Sequence, residues 1–200
     1  MPYRDETHGY SEVMKAALRD HTERMIIETA AQALDERGDA SMADIADAAG
    51  VGRATLYRYF PSRDLLLQAI GDTALDELTG RLADARVDTI PVTEAIARLT
   101  RAFISAGSKY VALMRTGHKP VDPAEVDRRI GTPLRELFDR GIATGELRGD
   151  VPSDVLLTLF GGLLEAAIKT QPGYGVEQAS AAVLAVFLTG AGPQVLVERV

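Results

Sequence analysis

The sequence predicts an all-α protein with a small N-terminal domain of three helices. Apolar residues recur at helical spacing through almost all of the 200 residues, and strand-like alternation is scarce. Proline and glycine divide this pattern into segments, and 46% apolar residues suffice for a substantial core. We expect a long helix to join the first domain to a C-terminal helical bundle that dimerises.

Composition and charge narrow the possible functions. The chain has no cysteine, so a disulfide framework and a thiolate zinc site are excluded, and we expect no metal and no cofactor. Its polar N-terminus does not resemble a secretory signal, and its longest apolar run, 155–168, is shorter than a membrane span of about 20 residues. We therefore expect a cytoplasmic protein that does not contact a membrane. A net charge of −7 restricts any binding of nucleic acid to a local surface.

The first segments are predicted to be an arm and a helix. Residues 1–19 mix charges of both signs and are interpreted as a mobile arm, with helix expected only towards Val13 to Leu18. Residues 20–37 place apolar side chains on one face, and Gly38 is a typical C-terminal stop. We place the N-terminal domain at 20–66 and a second domain at 67–200.

Two short helices follow, separated by a three-residue turn. Ser41 and Asp44 have the spacing of a capping box that begins a helix over 42–49, and the next helix, "RATLYRYF", ends before Pro61. Ala46 is small enough for a close helix crossing, and Gly50 can adopt a positive φ. The residues spaced to form a shared core are Ile45, Ala49, Val51 and Leu56. This spacing predicts a helix-turn-helix unit.

The second helix of this unit carries the chemistry of a DNA-binding surface. Such a helix enters the major groove N-terminal end first, so Arg53 and Ala54 are expected to reach base edges, and arginine pairs well with guanine. Residues suited to phosphate contacts are Thr55, Tyr57, Tyr59 and Arg63, and Arg58 suits either role. No carboxylate interrupts this run between Asp47 and Asp64. A solvated basic face with structural aromatic residues is the alternative interpretation.

Ser62 is predicted to cap a long amphipathic helix that connects the two domains. Beyond it, proline and glycine divide the chain into about five further helices. The segments near 153–169 and 176–190 are so uniformly apolar that we expect them either to form a dimer interface or to lie centrally in the core. A small-molecule site could involve side chains that core packing explains equally well: Phe103, Tyr110, Met114, Arg115, Phe138 and Phe160.

The run "MADIADAAGVGRATLYRYFPSRDLLLQAI", with the helix before it, resembles the N-terminal domain of the TetR family of bacterial transcriptional regulators. The resemblance implies a homodimeric repressor whose C-terminal domain binds a small-molecule effector and controls binding to an inverted-repeat operator in double-stranded DNA. It also implies DNA contacts by Ser41 and Met42 at the start of the second helix, and it supports the phosphate roles of Thr55, Tyr57, Tyr59 and Arg63.

Three features depart from the family's usual pattern. Gly52 stands where serine is usual, Ala54 stands where glycine is usual, and the link from Gly38 to Ser41 is about two residues shorter and lacks the customary aromatic residue. No nucleophile, base and orienting group share a site, so an enzyme is not expected. The sequence therefore predicts a ligand-responsive DNA-binding repressor. The alternative is a helical ligand-binding or interaction protein whose helix-turn-helix is degenerate.

Overall fold

The computed structural model describes residues 6–115 and 121–193, with side chains described for 14–107, 121–170 and 175–193. Within these residues there is no β-strand, which confirms the all-α prediction. The elements are α1 (Glu6–Glu36), α2 (Met42–Ala48), α3 (Arg53–Tyr59), α4 (Arg63–Asp84), α5 (Val92–Arg115), α6 (Pro123–Val126), a π-helical turn (Asp127–Gly131), α7 (Thr132–Thr144) and α8 (Ser153–Ala191). None of the described helices is long and apolar enough to cross a membrane.

The first helix begins earlier than the sequence predicts. It starts at Glu6, inside the segment interpreted as a mobile arm, and continues without a break to Glu36. The side chains of residues 14–20 are all exposed. A helix that buries no face has no reason to show apolar periodicity, and so the sequence predicts helix here only towards Val13 to Leu18. The division of the chain at residues 19 and 66 stays a prediction.

The helix-turn-helix unit forms around an N-terminal core. Ile45, Ala46 and Leu56 are fully buried against the second half of α1 and the start of α4. Gly50 has a φ of +64° and ends α2. The N–H of Val51 donates to the carbonyl of Ala46 at 3.0 Å, and that of Gly50 donates to Asp47 at 3.2 Å, the two bonds of a Schellman motif. The predicted positive φ of Gly50 is confirmed.

Helix α4 belongs to two cores. In its first two turns Leu66 and Ile70 pack with α1, α2 and α3, whereas Leu78 and Leu82 pack against the C-terminal core. That second core lies between α4, α5, α7 and α8, and its centre is a cluster of three aromatic rings, Phe138, Phe160 and Phe187. A single continuous helix therefore connects the two cores.

Helix α8 consists of two halves that join at Gly175. This glycine has φ +72° and ψ 163°, which is not a helical conformation, so the helix is interrupted there. The break lies between the two C-terminal segments that the sequence predicts as separate helices. Each half places apolar side chains both in the core and in solvent: Phe160 and Phe187 are buried, while Leu159 and Val186 are 55% and 60% exposed.

Candidate nucleic-acid interface and small-molecule cavity

The start of α2 is fixed by a capping box. The N–H of Asp44 donates to the hydroxyl of Ser41 at 3.2 Å, and the Asp44 carboxylate accepts from the N–H of Ser41 at 2.8 Å and from its hydroxyl at 2.6 Å. These hydrogen bonds, with the charges of Arg37 and Arg53, lower the pKa of Asp44 below its ordinary value of 3.8. Ser41 is exposed, but its hydroxyl proton is already donated to Asp44. A phosphate at Ser41 would compete with this carboxylate.

Helix α3 presents a basic face to solvent. Arg53, Ala54 and Arg58 are exposed, and Tyr57 is 49% exposed although it lies beside the fully buried Leu56. This alternation arises because Leu56 anchors the short helix to the N-terminal core, which directs its neighbours outward. The N-cap residue is Gly52, which has no side chain to cap the helix, so the first backbone N–H groups of α3 are free of a capping side chain.

Tyr59 and Arg63 are held more closely by the protein. The ring of Tyr59 packs against the N-terminal core, and the guanidinium carbon of Arg58 lies 5.7 Å from its centroid. Arg63 is half-buried, and its guanidinium donates a hydrogen bond to the carbonyl of Ala40. Since a guanidinium has five N–H donors, this bond leaves donors for another acceptor. Thr55 and Met42 are half-buried.

An apolar cavity of about 290 Å³ lies in the C-terminal domain between α4, α5, α6, the π-helical turn, α7 and α8. Of the residues predicted for a ligand site, Phe103 and Phe160 line it. Phe138 does not line its described wall: it is fully buried behind Phe160, with ring centroids 5.7 Å apart, and it packs in the core instead. The side chains of Tyr110, Met114 and Arg115 lie outside the described residues.

The sequence interpretation missed most of the cavity wall. The wall also contains Gly71, Leu75, Leu78, Gly107, Val121, Val126, Ile130, Leu134, Gly161, Leu164, Glu165 and Ile168. At Gly107 the wall is closely packed: an added Cβ atom would lie 2.3 Å from the side chain of Ile168, which would have to shift. Glu165 is the one ionisable side chain in the described wall, and Lys169 donates to it at 2.6 Å on the solvent side. In the sequence, Glu165 interrupts the apolar run 155–168, and this interruption was a signal that could have indicated its place in the cavity wall.

Comparisons with known proteins agree with this geometry. The family model described as bacterial regulatory proteins, tetR family, matches residues 26–70. The repressor LfrR of Mycolicibacterium smegmatis is 33% identical over 94 residues, which span 47% of this chain and 50% of LfrR. The regulator NfxB of Pseudomonas aeruginosa is 30% identical over 148 residues, 72% of this chain and 78% of NfxB.

Solved structures are similar over most of the chain. LfrR in complex with proflavine has a TM-score of 0.71 at 25% identity and covers 86% of this chain and 97% of its own. AibR in complex with isovaleryl coenzyme A and operator DNA has a TM-score of 0.67 at 25% identity, and the match covers 82% of this chain and 97% of the AibR chain. With the helix-turn-helix geometry and the match to NfxB, these similarities show that the chain belongs to the TetR family of bacterial transcriptional regulators.

Proposed function

We propose that the chain is a homodimeric cytoplasmic repressor that binds an inverted-repeat operator and releases it when a hydrophobic cation occupies the cavity. The exposed face of α3 carries this proposal. Arg53 and Ala54 lie at the N-terminal end of the helix that enters the major groove, and Tyr57 and Arg58 follow on its exposed side. In the proposal Arg53 reads bases, while Thr55, Tyr57, Tyr59 and Arg63 bind phosphates, and Ser41 and Met42 contact DNA from α2.

Dimerisation through α8 is supported by its exposed apolar side chains. Val155, Leu159 and Val186 are all exposed in the single chain. Gly162 lies seven residues after Val155 and three after Leu159, which places the three residues on one face of the helix, and a Cβ atom added at Gly162 would meet no other described atom within 4 Å. Apolar side chains and a glycine on one face suit close helix packing across a two-fold axis, and a four-helix interface of the two halves from each copy would cover them. A two-fold dimer reads two half-sites, which is why an inverted repeat is expected.

The effector class follows from the cavity wall. An apolar ligand gains free energy by leaving water, and a carboxylate at the edge of such a wall favours a ligand that also carries a positive charge. Glu165 supplies this carboxylate. LfrR, whose solved complex contains proflavine, gives independent support for an aromatic cation. Because the cavity borders Leu75 and Leu78 of α4, a ligand there would bear on the helix that begins at Arg63.

Selection from random double-stranded DNA by the purified chain tests this function. We expect an enriched inverted repeat, loss of the complex when proflavine is added, and a changed base preference at one position of each half-site for Arg53→Ala. Tyr57→Phe is the matched variant, since it removes one hydroxyl and should weaken binding to all sequences alike. Tight binding of proflavine with no enriched DNA would contradict the repressor and favour a ligand-binding protein with a degenerate helix-turn-helix.

A further inference from the structure

A cleft of about 490 Å³ separates the first half of α1 from α3. Its wall on α1 consists of Lys15, Leu18, Arg19 and Thr22, and its wall on α3 consists of Thr55, Arg58 and Tyr59. Lys15, Arg19 and Thr22 are spaced to share one face of α1, because they are four and three residues apart. The α3 side of the cleft is thus made of residues from the helix that enters the major groove, so the cleft is continuous with the DNA-binding surface.

The cleft concentrates positive charge. Among the described residues that line it, Lys15, Arg19 and Arg58 are cations, and none is a carboxylate. These three cations lie together in a chain whose net charge is −7. Threonine and tyrosine hydroxyls complete the polar lining, and both are common donors to phosphate oxygens. The chemistry of the wall therefore fits a polyanionic backbone.

Packing within the chain does not account for this part of α1. Residues 14–20 are exposed throughout, and Leu18 is 65% exposed although it is apolar. The family model begins at residue 26, whereas α1 begins at Glu6, so the segment that borders the cleft precedes the matched domain. Because no core contact covers residues 14–20, their side chains are accessible to a binding partner outside the chain.

We propose that the first half of α1 is an additional DNA-binding element that holds the sugar-phosphate backbone of the operator in the cleft against α3. Lys15 and Arg19 bind phosphates from one side, and Thr55, Arg58 and Tyr59 bind from the other. The inference rests on operator binding and extends it, because it adds phosphate contacts outside the helix-turn-helix. These contacts raise affinity and salt dependence without altering which bases are preferred.

The salt dependence of operator affinity gives the first measurement. With the DNA obtained by selection, the double variant Lys15→Gln/Arg19→Gln should reduce the slope of log affinity against log salt by about 2, since each lost phosphate contact removes about 0.9. When salt is raised from about 50 to 200 mM, the double variant should therefore lose about tenfold less affinity than the wild type. Arg24→Glu is the control: it changes the net charge by the same two units from the opposite side of α1, and its slope should equal that of the wild type.

Proximity gives a second, independent measurement. The chain has no cysteine, so Arg19→Cys and Arg24→Cys each introduce a single thiol that can carry an iron chelate. In the presence of ascorbate and peroxide, the chelate at position 19 should cut the operator near the bound backbone, and the chelate at position 24 should cut it much less.

If the wild type binds the operator and the double variant shows the same salt slope, this inference is wrong while the operator function stands. The same holds if the slope changes equally in the double variant and in Arg24→Glu. Equal cutting from both positions does the same. If the double variant instead alters sedimentation of the DNA-free chain and leaves the slope intact, the cleft is a contact between copies and the inference is wrong. A wild-type chain that binds no DNA overturns the operator function and this inference together.

Discussion

The guanidinium of Arg63, in the first turn of α4, donates a hydrogen bond to the carbonyl oxygen of Ala40, in the link between α1 and α2. Ala40 is buried, and its N–H donates to the carbonyl of Arg37 at 3.0 Å. The link is shorter than the family's pattern implies, and these bonds fix it from both sides. Arg63 thus supports the position of Ser41, besides any phosphate that it binds.

Arg63→Ala should therefore lower both stability and operator affinity. Loss of the bond to Ala40 should reduce the free energy of unfolding by about 1 kcal/mol, measured by urea denaturation. Arg58→Ala is the control, because Arg58 is exposed on α3: it should weaken operator binding and leave the urea midpoint close to that of the wild type. An unchanged urea midpoint for Arg63→Ala would contradict the structural role of Arg63.

The capping box should make stability depend on pH in acid. The pKa of Asp44 is lowered in the folded chain by hydrogen bonds from Ser41, so its contribution is complete above the ordinary pKa of 3.8 and is lost as the pH falls through the lowered value. Asp44→Asn should reduce the loss of stability in acid that arises from this carboxylate. Urea midpoints measured between about pH 7 and pH 3 check this expectation. A profile parallel to that of the wild type would contradict the assignment.

Ser41→Ala removes the N-cap of α2. We expect a loss of about 1 kcal/mol at neutral pH and a smaller difference from the wild type in acid, because the hydrogen bonds that favour the charged form of Asp44 are reduced. Ser62→Ala is the matched control: its hydroxyl caps α4 by accepting from Leu65 at 3.2 Å, without a carboxylate partner in the cap, so its cost should vary less with pH.

Leu159→Glu should dissociate the proposed dimer. Leu159 lies on the exposed side of α8, next to the buried Phe160, and in the proposed interface a carboxylate at this position would be buried without a partner among apolar side chains. Sedimentation should change from dimer to monomer while helical content is retained. Thr158→Glu, one residue earlier on the same helix, tests whether charge anywhere on the exposed side suffices. A dimer that survives Leu159→Glu would place the interface elsewhere.

Glu165→Gln should weaken proflavine binding about tenfold, which corresponds to about 1.4 kcal/mol for one charge-assisted contact. Lys169→Gln should strengthen it, because Lys169 competes for the same carboxylate. Fluorescence titration measures both. Glu177→Gln is the control, since Glu177 pairs with Arg101 at 2.7 Å and does not line the cavity. Equal affinities for Glu165→Gln and the wild type would show that the carboxylate does not select the ligand.

Local chemistry made the helix-turn-helix predictable from the sequence. The Ser41 and Asp44 cap and the positive φ of Gly50 each depend on residues within a few positions of one another, and both are confirmed. The start of α1 at Glu6 was not predicted, because residues 14–20, which precede the buried part of the helix, are exposed and show little apolar periodicity.

The cavity wall could not be predicted either, since it is assembled from five α-helices and a π-helical turn whose residues are spread from Gly71 to Ile168. Phe103 and Phe138 look alike in the sequence, and only their tertiary positions separate a wall residue from a core residue.

In the proposed function, the packing of α4 in both cores couples two equilibria: binding of a ligand in the cavity and binding of the operator. Leu75 and Leu78 border the cavity, and Arg63 begins the same helix beside the helix-turn-helix. If occupancy of the cavity lowers operator affinity by some factor, thermodynamic reciprocity requires operator DNA to lower effector affinity by the same factor. A repressor already bound to its operator would then need a higher concentration of effector than a free repressor, by that same factor.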